Sequence, residues 1–180
     1  MKIKRVLDRA RAMQHERMFV EATDLLIHHD SRTDLGADDL MALGDAFNDF
    51  ATDYRASRGR RVSAEFFKAG RYPFLLNKAM ICYKRASALA LNDETAALKV
   101  VKIAMQLNMP ASGFDYARKA VRINPLSVDG WTYLAILHDL NSETLRAELC
   151  RANAGVAATG KADGLQAYSA PSAPAPQPAA

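Results

Sequence analysis

Cysteine is nearly absent from this chain of 180 residues. Cys82 and Cys150 stand far apart, and neither has a second cysteine or a histidine at the spacing a metal site needs. That pattern gives no disulfide framework and no zinc module, so both are expected to be reduced, semi-buried packing residues. The four histidines, His15, His28, His29 and His138, are equally scattered. His28 and His29 fall where a helix is expected to end, and there a cationic side chain interacts favourably with the last carbonyls. No metal and no cofactor are expected. Nowhere do about 18 apolar residues run together, which predicts no membrane span. The first stretch, MKIKRVLDRARAMQHERMF, mixes charged with apolar residues and lacks the apolar core of a secretory signal. The expected location is therefore the cytoplasm. Also missing are a Gly-rich phosphate loop, a His-Glu zinc motif and a nucleophile motif. Asp45 and Asp49 share a helix face, but exposed carboxylates without a basic or apolar environment do not make a catalytic pair. The chain is not expected to be an enzyme.

What is present is a soluble-type composition, 49% hydrophobic and 24% charged, long enough for one domain or a short repeat array. Glycine is sparse, alternating β-branched runs are missing, and apolar residues recur at three and four, the helical period. The fold class expected is all-α. The end differs: from Gly155 onward, GVAATGKADGLQAYSAPSAPAPQPAA has few large apolar residues and holds Pro171, Pro174, Pro176 and Pro178. Such a segment buries too little surface to offset its chain entropy. Residues 156–180 are expected to be a disordered Ala/Pro-rich tail, useful as a linker or docking strand.

Internal repetition decides the architecture. With Pro125 set at position 32 of a 34-residue unit, Ala120 falls at 27, Gly113 at 20, and Val100 and Val101 at 7 and 8. Counting forward places Trp131 at 4, Leu134 at 7 and Ala135 at 8. Elsewhere LMALGDAF sets Leu40 at 4, Leu43 at 7, Gly44 at 8 and Phe47 at 11, while KAMICYKRASAL sets Ala79 at 20, Tyr83 at 24 and Ala86 at 27. Upstream, RMFVEATDLL sets Ala22 at 20. This register resembles that of the tetratricopeptide repeat family, with a large residue at 4, Leu then Gly or Ala at 7 and 8, Ala at 20 and 27, and Pro at 32.

The resemblance covers residues 1–155 as four units: 3–36, 37–93, 94–127 and a degenerate 128–155. It implies an α-solenoid of about three to four helical hairpins. Small residues such as Gly44, Ala79, Ala86, Ala120 and Ala135 would let paired helices approach closely, while large residues fill the space between hairpins. Leu91 stands where Pro is expected in the second unit, and Ala117 replaces the aromatic at 24 in the third.

Function in that family is protein binding in a concave groove made by the first helix of each hairpin. Carried onto this sequence, the groove positions give Lys4, Leu7, Arg11, Gln14 and His15 in the first unit. They continue with Asp38, Met41, Asp45, Asn48 and Asp49, then Thr95, Leu98, Lys102, Met105 and Gln106, then Asp129, Thr132, Ile136, Asp139 and Leu140. The resemblance implies an adaptor or scaffold whose partner is a peptide or amphipathic helix, basic to match the aspartates. A carboxylate clamp of the chaperone-docking type is not expected. Of Leu7, Arg11, Ala42, Thr95 and Lys99, only Lys99 supplies a basic residue where that subclass uses one.

The second unit carries a basic insertion near 55–76, since 37–93 is 23 residues longer than one repeat. Arg55, Arg58, Arg60, Arg61, Lys68 and Arg71 face Glu65 alone there, with Phe66, Phe67 and Tyr72 beside them. This composition fits an acidic protein, a nucleic acid held by phosphate contacts and stacking, or a solvated loop. Two alternative functions follow: a secretion or assembly chaperone of the same architecture, and an RNA-associated factor using the insertion. The sequence names neither the partner nor the oligomeric state.

Overall fold

The computed structural model describes residues 3–16, 18–56 and 71–168. Most of these residues are helical, with no strand among them. The elements are α1 (Ile3–His15), α2 (Phe19–Asp30), α3 (Ala37–Ala56), α4 (Arg71–Leu89), α5 (Thr95–Gln106), α6 (Pro110–Ile123), α7 (Val128–Leu140) and α8 (Thr144–Ala158). A single 3-10 turn, Ala162–Gly164, follows. Chain neighbours pack on one another throughout. The most extensive contacts join α3 to α4, α7 to α8 and α5 to α6, and α4 and α6 then pack on the helices that follow them.

Local chemistry sets the turns. Asn124 accepts a hydrogen bond from the Leu126 N–H, and the Ser127 hydroxyl accepts one from Gly130 N–H at 3.1 Å, capping α7. The Trp131 indole N–H then donates to the Pro125 carbonyl at 2.8 Å, closing the α6–α7 corner. Pro110 starts α6, where its missing N–H costs nothing. The α5–α6 and α7–α8 turns each place one non-glycine residue in the left-handed region, Asn108 (φ 57°) and Ser142 (φ 60°). These two residues lie 34 positions apart.

Buried apolar residues form two clusters. One runs from Val6 and Leu26 through Leu43, Phe47, Leu76 and Tyr83 to Ile103. The other gathers Val101, Phe114, Trp131, Leu134, Leu137 and Cys150. α5 feeds both, so the core continues along the chain. Small residues permit the close approaches: Ala79, Ala86 and Ala120 are fully buried, and a Cβ on Gly44 would lie 2.5 Å from the Tyr83 ring. Leu7, counted above among groove positions, is buried in the first cluster instead, because α1 has only one apolar stripe and spends it on α2 and α3.

Two expectations are corrected. At the end of α2, His29 is not the cation that meets the last carbonyls. His29 is buried, and burial together with His28 and Arg32 holds its pKa below the ordinary value. Arg85 on α4 takes the place, donating to the carbonyls of Asp30 and Arg32. The boundary at 155 also moves. α8 continues to Ala158, and Leu165 and Tyr168 pack on the second cluster. The reason is specific pairing rather than bulk apolar surface, since Asn153 and His138 supply polar partners for this segment. Residues 169–180 lie outside the described part.

Candidate protein-binding face

α3 carries Asp45, Asp49 and Asp53 at successive i, i+4 positions, so three carboxylates stack along one face. Its neighbours bring complementary groups from both sides. On the α1 side, the Gln14 side chain donates to Asp53. On the α5 side, Lys99 pairs with Asp45. From behind, the buried Tyr83 of α4 donates its hydroxyl to Asp45 at 2.6 Å, with Lys99 5.4 Å from the Tyr83 ring centre. Burial and this carboxylate push the Tyr83 hydroxyl pKa upward. The faces of α1, α3 and α5 are therefore linked across two helix boundaries.

The charge on this face is unevenly satisfied. Asp45 is held by two partners, whereas the Asp49 carboxyl is raised above its ordinary pKa, first by desolvation and then by Asp45, with Arg11 opposing. The Asn48 amide oxygen is buried with no hydrogen-bond partner among the described residues. Asp49 is nevertheless exposed, so the face holds one solvent-facing carboxylate with a raised pKa and, in Asn48, an amide oxygen without a donor among the described residues. Both are satisfied by an added cationic or N–H-bearing group.

Of the other residues expected at the groove, Lys4 and His15 on α1 are exposed. Asp38 and Lys102 are exposed, and Leu98 and Ile136 are half-buried on α5 and α7. Met41 and Met105 are half-buried and pack against the first and second clusters respectively, so part of their surface is already used. Asp53 and Lys99 were not counted to the groove. The i, i+4, i+8 spacing of the aspartates was the available signal for Asp53, while the Lys99 pairing depends on how α5 lies against α3. Of the basic insertion, Arg58, Arg60, Arg61 and Lys68 lie outside the described residues, as does the side chain of Arg55. Arg71 opens α4.

Among the described residues no three His, Cys, Asp or Glu side chains converge for a metal ion, and no helix is long and apolar enough to cross a membrane. Both cysteines are free and buried. Desolvation, reinforced by Asp30, pushes the Cys82 thiol up to about 12, and desolvation pushes Cys150 to about 11. Neither thiol is an activated nucleophile. No protein-family model matches the chain, and no curated protein matches it.

Proposed function

We propose that this protein is a binding module of the tetratricopeptide type, a cytoplasmic adaptor or scaffold that holds a basic, amphipathic partner segment against the linked faces of α1, α3 and α5. The observation that carries the reading is the acidic row Asp45, Asp49 and Asp53. It is tied to α1 and α5 by Gln14 and Lys99, with Asp49 exposed between the two tied carboxylates. The 34-residue interval between Asn108 and Ser142 supports the repeat architecture independently, because it is a recurrence of backbone conformation and not of side-chain type. A cation docking beside Asp49 relieves the carboxylate repulsion, and charge complementarity raises the association rate. Half-buried Leu98 and Ile136 offer apolar anchors.

The test compares charge reversals. Asp45 is unsuitable, since it anchors Tyr83 and Lys99. Asp53 is unsuitable too, since it accepts from Gln14; Asp49→Lys leaves all of these bonds in place and should abolish capture of the partner that the wild-type chain retains, with helicity unchanged by circular dichroism. Arg58→Glu, Arg60→Glu and Arg61→Glu should do less. Loss with the arginine reversal and retention with the aspartate reversal moves the binding site to the insertion and defeats the proposal.

A further inference from the structure

After the 3-10 turn the chain enters an extended conformation at Leu165 (φ −67°, ψ 127°) and lies across α7 and α8 as far as Tyr168. Its contacts differ in kind from ordinary tail packing. Asn153, fully buried in the middle of α8, donates its amide to the Gln166 carbonyl at 3.1 Å and accepts from the Gln166 N–H at 2.8 Å. That pair reads backbone alone, because the Gln166 residue itself is exposed. Two residues on, the Tyr168 ring meets Trp131 edge to face at 5.7 Å, and its hydroxyl lies 2.9 Å from Nε2 of fully buried His138. His138 Nδ1 is 2.6 Å from a Glu143 carboxylate oxygen. A carboxylate can only accept, so Nδ1–H points at Glu143 and Nε2 is left for the tyrosine. Leu165 packs on the same cluster, and Gly164 brings the backbone close, since a Cβ there would stand 3.2 Å from Val156.

A segment held by apolar packing alone would be bound without direction and without reading its backbone register. Instead the face carries one bidentate backbone reader, one aromatic slot with a polar end, and one aliphatic contact, spaced to fit four residues of chain that begin extended at Leu165. We infer that the outer face of α7 and α8 is a second peptide-binding site, separate from the α1–α3–α5 face, filled here by the chain's own residues 165–168. It takes an extended partner segment of the form Leu-x-x-Tyr. The tethered segment competes from a high local concentration, so a partner enters when that segment is displaced.

Trp131 is the only tryptophan in the chain and touches Tyr168, so its fluorescence reports occupancy directly. Two full-length variants release the tethered segment: Tyr168→Ala, and Gln166→Pro, which removes the N–H that Asn153 accepts. Both should shift Trp131 emission. A synthetic peptide of residues 164–169 should bind them saturably and restore the wild-type spectrum. The same peptide with phenylalanine in place of tyrosine should bind about 2- to 12-fold more weakly, the worth of one hydrogen bond. Adding Asn153→Ala to either variant should remove binding of both peptides. Failure of the peptide to restore emission in a variant that still melts cooperatively overturns the inference, as does equal restoration by a scrambled peptide. If both release variants unfold, the segment is a fixed structural cap and the inference also falls.

Discussion

Asp30 closes α2 as a buried carboxylate and gathers partners from α4: Lys78 at 2.7 Å, the Cys82 thiol at 3.4 Å and Arg85 at 3.7 Å. The last turn of one helix is thereby anchored to the middle of another 48 to 55 residues away. Gly44 plays the complementary part, contributing by having no side chain. Gly44→Val should lower stability by about 1–3 kcal/mol, because Tyr83 is pinned to Asp45 and cannot retreat. Urea unfolding measures it, and an unchanged midpoint would show that α3 and α4 separate freely. Asp49 gives a pH effect of definite sign. Its folded pKa lies above the unfolded value of 3.8, so folding binds the proton more tightly and stability falls as pH rises from that value through the raised pKa. Asp49→Asn should therefore melt higher than wild type at pH 7, and the difference should shrink as pH falls toward 3.8. A difference that grows on acidification contradicts this assignment.

Each helix owes its ends to different devices. α7 has a hydroxyl cap from Ser127, α6 has Pro110, and α5 is entered through Asp93, whose carboxylate accepts the Thr95 N–H at 2.8 Å and is held below its ordinary pKa by that bond. The α7–α8 turn is less well served. Ser142 adopts φ 60° without being glycine or asparagine, whereas the matching place in the preceding turn holds Asn108, which tolerates that region better. Ser142→Gly should raise stability by about 0.5–1 kcal/mol, while Asn108→Gly should give less. Thermal melts of the two variants side by side check the order. The reverse order would mean that the Ser142 side chain contributes more than its backbone strain costs.

Taken whole, the described molecule is a row of helices whose core passes from one cluster to the next through α5, ending in a hairpin that holds the chain beyond it. Ending the chain at Gly160 should cost about 1–3 kcal/mol, since Asn153 and His138 lose partners and Trp131 loses its cover. A chain ended at Tyr168 should match the full-length protein. Chemical unfolding of both forms decides it, and equal stability of the Gly160 form would mean that water replaces the segment without penalty.

The sequence by itself determined the helical class, the close-packing role of Gly44, Ala79, Ala86 and Ala120, and the α6–α7 corner around Pro125 and Trp131. Those features depend on residues near one another in the chain or repeated at a helical period, and such information survives in a linear pattern. The α2 cap by Arg85, the Lys99 bond to Asp45 and the capture of Leu165 and Tyr168 by Asn153 and His138 were decided only by tertiary structure. Each joins a polar side chain to a group at no characteristic spacing. Composition made the segment after Gly155 look unfit to fold, because hydrophobic content measures average burial, while two well-placed buried hydrogen-bonding side chains are enough to hold residues 165–168.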